Sequence, residues 1–275
     1  MGVKEHNYQK WFYRWLKDGY TVSQLTELSR LSRRNLLKII YSCLEKELDI
    51  KAPNIESKYL VFDGTYLYKR KLTLAVLIDD ETGKLVAWEY GLDERKTDQL
   101  IVFFNKLKLK GVMPVSCTVD GNFMVMKALR QVWPSILIQR CLVHVQRQGL
   151  MWCRSYPKTT MGRQLRKLFI SLLYIHTHEK KKEWLEQVQK WENRYGKSLK
   201  GPVHGWVMSD LKRARSMLLK GVSDLFHYIS DTRIPFSSNR AEGFFSVLKR
   251  SYKKHAGLST HHRKQYISWF CANSS

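Results

Sequence analysis

The apolar positions at the start of the chain recur at helical spacing. Between Asn7 and Leu16 the large side chains Trp11, Phe12, Trp15 and Leu16 share one face, and Gly19 follows as a helix stop. Thr21 with Gln24 three residues on has the form of a capping box, opening a short second helix with Leu25 and Leu28 turned inward. Ser32 opens a third helix, in which Leu36, Leu37, Ile40, Leu44 and Leu48 return every three or four positions. The segment Lys51-Ala-Pro-Asn54 reads as a linker, because proline resists helix continuation. Beyond it the period becomes that of strands. Tyr59–Asp63, Lys71–Asp79 and Leu85–Leu92 are rich in β-formers, and Asp80-Glu-Thr-Gly83 suits a hairpin turn between the last two. A helix over Asp98–Leu109, a strand over Val115–Asp120, a helix over Phe123–Trp133 and a strand over Ser135–Gln139 follow. From about residue 142 to 230 the signals are all helical. Leu165, Leu168, Leu172 and Leu173 form one stripe there, and Trp184, Val188, Trp191 and Tyr195 another. Both read as core. Gly201-Pro-Val-His-Gly205 breaks this region in two, and Pro235 precedes a last pair of helices.

Three meandering strands followed by alternating helices and strands predict an α/β protein with a mixed sheet. The expected organisation is a three-helix unit at 1–52, the first part of an α/β domain at 57–145, an all-helical insertion at 146–232, and C-terminal helices at 233–275 that complete the domain.

Charge narrows the range of partners. There are 48 Lys and Arg against 24 Asp and Glu, a formal net charge of +24. The excess is uneven: residues 56–125 carry 10 basic and 10 acidic side chains, whereas residues 126–275 carry 28 and 8. Such a field predicts a polyanionic partner, with nucleic acid ahead of an anionic membrane surface. A Lys-rich solvated face is the plainer alternative. The third helix presents Arg33, Arg34, Asn35 and Lys38 in its first turns, side chains that can read base edges if helices two and three form a helix-turn-helix. In a plain three-helix bundle the same residues are solvated. The five cysteines are scattered, odd in number and without a Cys-x-x-Cys pair, which points to a reducing cytoplasm, with association with the nucleoid if DNA is the partner. No secretory leader or membrane-length apolar run is visible. There is no Walker A loop and no Gly-x-Ser-x-Gly elbow, so neither nucleotide-cofactor use nor serine-hydrolase chemistry is indicated.

Three acids stand out against the basic background. Asp63 lies in the apolar run Val61-Phe-Asp-Gly-Thr65, although aspartate disfavours strands; an outward-facing edge position is the alternative. Asp120 ends the run Ser116-Cys-Thr-Val-Asp120, at the carboxyl end of a strand, where ligands bind in open α/β sheets. The following Gly121 also fits a plain turn. Glu242 falls in Ser238-Asn-Arg-Ala-Glu242, where Asn239 suits a helix cap and Glu242 the third helical position, so a capping box competes with a chemical role. Carboxylates gathered in a basic protein are suited to divalent cations that bridge protein and phosphodiester.

With these motifs the sequence resembles the DDE transposases of bacterial insertion sequences, in the Mutator-like group. The resemblance rests on Val61-Phe-Asp63-Gly-Thr65, Val119-Asp120-Gly121, Cys141-Leu-Val-His144, and Asn239-Arg-Ala-Glu242 with its Phe-Phe-Ser-Val-Leu-Lys helix, and it covers roughly residues 58–265. It implies a ribonuclease-H-like core interrupted by the helical insertion. It also implies Asp63, Asp120 and Glu242 as the acids holding two Mg2+ or Mn2+ ions, and a DNA-cleaving and strand-transferring activity on transposon ends. Cys141 and His144, with Asn239, Arg240 and Lys249, are expected at the pocket or on DNA. Cys141 and His144 alone leave open the start of a zinc site or a packed Cys beside a solvated His. No second pair of matching form exists, and no zinc site is expected. Double-stranded DNA is the expected partner, gripped by Arg163, Arg166, Lys167, Lys212, Arg213, Arg215, Arg250, Lys253 and Lys254. A homo-oligomer on DNA is expected from the resemblance. The competing readings are another ribonuclease-H-like nuclease, such as a junction resolvase, and an inactive DNA-binding repressor derived from a transposase.

Overall fold

The computed structural model describes residues 2–48, 52–67, 73–255 and 257–274, with side chains from Tyr8 onward. Helices α1 (Gly2–Leu16), α2 (Val22–Ser29) and α3 (Arg33–Leu44) lead into strands β1 (Tyr59–Tyr66), β2 (Thr73–Asp79) and β3 (Leu85–Tyr90). Then come α4 (Thr97–Leu109), β4 (Ser116–Val119), α5 (Phe123–Val132) and β5 (Leu137–Arg140). The helical region holds α6 (Leu142–Cys153), α7 (Thr160–Ser171), α8 (His178–Tyr195), α9 (Lys197–Lys200), α10 (Trp206–Gly221) and α11 (His227–Ser230). Helices α12 (Asn239–Lys254) and α13 (Thr260–Ala272) close the chain.

Local chemistry accounts for the boundaries. The Thr21–Gln24 capping box forms in both directions, Gln24 N–H to Thr21 Oγ1 and Thr21 N–H to Gln24 Oε1, and Ser32 caps α3 through Asn35 N–H. Leu25 is buried as expected, but Leu28 is 52% exposed, because the short α2 buries only one narrow stripe. Helix α3 ends at Leu44, so Leu48 lies beyond it. Strand β1 runs on to Tyr66, past its expected end at Asp63, because β2 pairs with it as far as Tyr66↔Thr73. The expected start of β2 at Lys71 and Leu72, and Lys51 of the linker, lie outside the described residues. The β2–β3 turn is organised by Asp79 rather than by the residues after it. Buried Asp79 accepts N–H bonds from Glu81 and Thr82 and the Ser57 hydroxyl at 2.6 Å.

The sheet has the order β3-β2-β1-β4-β5. The meander β1–β2–β3 is antiparallel, and β4 and β5 join β1 in parallel. One face packs on α4 and α5 through Leu60, Phe62, Leu77, Phe104 and Leu129. The other face packs on α12 and α13 through Val61, Val76, Phe245, Leu248 and Ile267. The N-terminal helices share this second core: Phe12, Trp15, Leu36 and Ile40 belong to the same apolar cluster as Tyr252 and Tyr266. The insertion has its own core, in which Leu165, Leu168, Leu172, Trp184, Val188 and Trp191 are buried as their stripes predicted. Among the described residues no helix is long and apolar enough to cross a membrane.

Candidate active site

Side chains alternate across a strand. Leu60 and Phe62 of β1 point toward α4 and α5, and Val61 toward α12. Asp63 continues the Val61 series, so the alternation sets it on the α12 side, near the point where the apolar run gives out. The parallel register pairs Val61 with Thr118. Asp63 lies two places beyond Val61 on β1, and Asp120 follows the last residue of β4, so both acids stand toward the same end of the paired strands. Asp120 opens a turn in which its Oδ1 accepts Asn122 N–H at 2.8 Å, and Asn122 in turn caps α5. The turn reading of Asp120 therefore holds alongside its place toward that end of the sheet. Gly121 is required between them: its φ is +99°, and a Cβ there would lie 2.5 Å from the Arg140 guanidinium.

Glu242 arrives from α12. The helix cap is Ser238, not Asn239, and Glu242 is the fourth helical residue rather than the third. The capping box does not form, because the Ser238 side chain is directed elsewhere: Oγ lies 3.2 Å from Nδ1 of His144. Glu242 Oε1 instead faces His144 Nε2 and Arg147 Nη1, each at 3.5 Å. Burial pushes the Asp63 carboxyl up to about 6, with Asp120 and Glu242 adding to the rise and the Gly64 N–H and His144 opposing it. Asp120 and Glu242 thus both come within electrostatic reach of Asp63, from separate elements. Two strand aspartates make the contrast plain. Asp79 is satisfied by three protein donors, whereas among the described residues Asp63 receives only the neighbouring Gly64 N–H at 2.8 Å.

Cys141 and His144 are built into this wall. Cys141 is fully buried at the start of α6, and its Sγ accepts Ser238 N–H at 3.3 Å. Burial pushes its thiol up, but hydrogen bonds from His144 and Ser238 outweigh burial and hold it below its ordinary value. His144 is pushed up to about 8, first by its hydrogen bond to Cys141, with the charges of Cys141, Asp63 and Glu242 helping against burial. The pair therefore fastens the start of α6 to the start of α12, beside Glu242.

Three residues here were not singled out in the sequence. Arg147 stands one helical turn after His144, a spacing that does place two side chains on one face. Arg140 ends β5, buried between Gly121 and Gly221, with its Nε lacking a hydrogen-bond partner among the described residues. A charge ending an apolar strand just before Cys141 was the available signal. Glu94, in the loop before α4, is pushed up to about 7, first by burial and then by the charges of Asp120 and Asp63. Within the charged run Asp93-Glu-Arg-Lys96 nothing distinguishes it from a solvated side chain.

The remaining candidates divide. Lys249 lies two turns along α12 from Glu242 and donates to Thr65 Oγ1, at the edge of the acidic site. Asn239 and Arg240 do not join it. They line a separate groove with Phe236 and Phe244, and Arg240 leans toward Asp80 at 3.6 Å. Arg33, Arg34, Asn35 and Lys38 are all exposed on α3, and Arg33 shares a pocket with Lys254 of α12. Arg163, Lys167, Arg250, Lys253 and Lys254 are exposed, and Arg166 is partly buried. Lys212 is tied to the Gly201 carbonyl, and Arg213 shares Asp210 with Arg154. Arg215 is a correction: its side chain is 15% exposed and forms a two-pronged pair with Glu192 inside the insertion, so it is spent on α8 rather than presented to a ligand.

Among the described residues, no three His, Cys, Asp or Glu side chains stand close enough to enclose an ion by themselves. The donor chemistry nevertheless suits a hard divalent cation: desolvated carboxylates that repel one another are what such an ion neutralises. Mg2+ in particular is usually held by one or two carboxylates plus water and substrate phosphate rather than by an all-protein cage.

No curated protein matches the chain. A family model described as Transposase, Mutator family matches residues 59–254, from the first residue of β1 to the last of α12, and so spans the sheet, the insertion and all three acids. On that match the chain belongs to the Mutator family of transposases.

Proposed function

We propose that this transposase cleaves DNA at the ends of a mobile element and joins the freed ends to target DNA, with Asp63, Asp120 and Glu242 as the metal-holding acids of a ribonuclease-H-like core. The observation that carries the reading is that the charges of Asp120, after β4, and of Glu242, in the first turns of α12, both act on Asp63 of β1, in a chain of net charge +24. The strand order, a three-strand meander followed by two parallel strands, supports the ribonuclease-H-like assignment.

Divalent cations held there would activate a water or a 3′-hydroxyl and neutralise charge on the phosphodiester. The protein's part is positioning and electrostatics. The parallel pairing of β1 with β4 sets Asp63 and Asp120 toward the same end of the sheet. His144 and Arg147 hold the Glu242 carboxylate at the mouth of the site, and Ser238 and Cys141 hold His144. Lys249 and the exposed cations of α3, α7 and α12 supply phosphate contacts. In this reading α2 and α3 act as a helix-turn-helix, with Arg33, Arg34, Asn35 and Lys38 toward base edges. Two element ends are handled by a homo-oligomer.

The test is strand transfer with a labelled element end and a second duplex, using wild type and Asp120→Asn in Mg2+ or Mn2+. Wild type is expected to cleave and join, and the variant to bind DNA without cleaving. Cleavage retained by Asp120→Asn removes the assigned site. Cutting of branched DNA without joining favours a resolvase, and binding alone by wild type favours a repressor.

A further inference from the structure

We infer that Arg140 is a positioning residue for Asp120: its buried guanidinium holds the Asp120-Gly121 turn against the end of α10, so that the helical insertion, and not the sheet alone, sets where Asp120 stands. The inference rests on the reading of Asp120 as a metal-holding acid and adds the residue that places it.

The first observation is the enclosure of the guanidinium between two glycines. Arg140 is the last residue of β5, and the parallel register sets it opposite Val119, the residue before Asp120. It is only 9% exposed. A Cβ on Gly121 would lie 2.5 Å from both Nε and Nη2, and a Cβ on Gly221, the last residue of α10, would lie 2.1 Å from Nη1. One edge of the guanidinium thus rests on the turn and another on the insertion. Gly221 has a φ of −96°, which any residue adopts, so close approach alone demands glycine there.

The second observation is how the group is held. Nη1 donates to the Met217 carbonyl at 3.3 Å, in the last turns of α10, where the helix dipole favours a cation. Among the described residues Nε, which lies against Gly121, has no hydrogen-bond partner, and Arg140 makes no ion pair. Burial holds the guanidinium below its ordinary value, opposed by the charges of Asp224 and then Asp120. Asp224 already has Arg130 at 2.9 Å. Asp120 is therefore the acid that this buried charge is left to face.

The third observation weighs against a role in docking alone. Gln139, the preceding residue, is fully buried. Its amide donates to the Leu225 carbonyl at 2.8 Å and accepts His227 N–H at 3.0 Å. A neutral side chain thus already fastens β5 to the segment after α10. Burying a cation without a matched partner is destabilising, so a second anchor would not by itself select arginine. A rigid planar cation set against the Asp120 turn is explained by what it fixes there, as groups behind a metal ligand orient that ligand.

The test uses the full chain and two variants that keep the charge, so that a change in metal binding reports the place of Asp120. Arg140→Lys lacks the planar fork that spans both glycines. Gly221→Ala pushes on Nη1 from the insertion side, because the three nearest atoms its methyl would meet all belong to Arg140. Mn2+ binding is followed by electron paramagnetic resonance, and cleavage of a labelled element end across Mg2+ concentrations. Each variant is expected to weaken Mn2+ binding by roughly tenfold and to raise the Mg2+ needed for cleavage, with DNA affinity unchanged. The double variant should match Arg140→Lys alone, because lysine has no Nη1 for the added methyl to meet. On an Asp120→Asn background neither change should alter the Mn2+ binding that remains. Trp184→Phe, a change inside the insertion core, controls for general loss of stability and should bind Mn2+ as wild type does. Wild-type Mn2+ affinity and Mg2+ dependence in both variants, with both lost in Asp120→Asn, would overturn the role of Arg140 and leave the three-acid site standing. Equal losses in Trp184→Phe would reduce Arg140 to a structural anchor. Retention of Mn2+ binding and cleavage by Asp120→Asn would overturn both readings.

Discussion

The imidazole of His144 faces the carboxylate of Glu242, Nε2 to Oε1 at 3.5 Å, while Nδ1 is held by Ser238 and the ring shares a hydrogen bond with Cys141. This chain of contacts predicts one distinctive thiol. Burial pushes Cys43, Cys117, Cys153 and Cys271 up, and only Cys141 is held below its ordinary value. Thiolate absorbance during a pH titration of the native protein should show one cysteine ionising below pH 9.0, the ordinary thiol value. His144→Asn should remove that step. His144 itself is raised from 6.5 to about 8, so its contribution to stability is full below pH 6.5 and lost as pH rises through about 8. The gap in Tm between wild type and His144→Asn should close over that window.

Asp63 makes the opposite kind of contribution at neutral pH. Its carboxyl is raised from 3.8 to about 6, so the stability its protonated form supplies is full below pH 3.8 and lost as pH rises through about 6. Asn at this position does not titrate. In metal-free buffer Asp63→Asn should therefore gain on wild type between pH 4 and 6 and melt roughly 5 °C higher at pH 7, given about 2–4 °C per kcal/mol in a chain of this size. Mg2+ should narrow the difference by stabilising wild type alone. An equal Tm for the two proteins at every pH would show that neither burial nor the neighbouring acids raise the Asp63 carboxyl.

The placement of Arg215 separates structural cations from presented ones. Removing it leaves Glu192 half-enclosed without its partner, so Arg215→Ala should cost about 2–4 kcal/mol in denaturant unfolding while leaving the salt dependence of DNA binding unchanged. Arg163, exposed on α7, should behave in reverse. Its replacement by Ala should leave stability within about 0.5 kcal/mol and reduce the slope of log affinity against log salt by about 1.

Trp184 anchors the insertion twice over, by burial and by its indole N–H to the Leu168 carbonyl at 3.0 Å. Trp184→Ala should cost about 3–5 kcal/mol. Trp184→Phe keeps most of the apolar surface and removes that bond, while the Ser171 hydroxyl still donates to the Leu168 carbonyl at 3.1 Å, so it should cost about 1 kcal/mol. Similar losses for the two variants would show that the hydrogen bond carries most of the effect.

Much of the fold was legible because it is written in short-range periodicity. The alternation around Val61 and Asp63, the capping box at Thr21, and the stripes of α7 and α8 are set by neighbours within one or two turns. The same short range explains the misses. Leu28 follows the helical period yet meets no partner, because burial depends on what packs opposite and not on spacing. Asn239 looked like a cap, but Ser238 takes that place while its hydroxyl turns to His144, a residue 94 positions earlier.

The amino-acid sequence alone determined the element types, the two separate apolar periodicities, the excess of positive charge, and the identity of three acids with the wrong chemistry for their surroundings. Only the tertiary structure decided which charges meet. It paired Arg215 with Glu192, turned Arg240 toward Asp80, and brought Glu94 against Gly64. The reason is one of range. Periodicity follows from backbone geometry over a few residues, whereas Coulomb energy depends on distance through space, and distance between remote residues exists only once strands have registered and helices have docked.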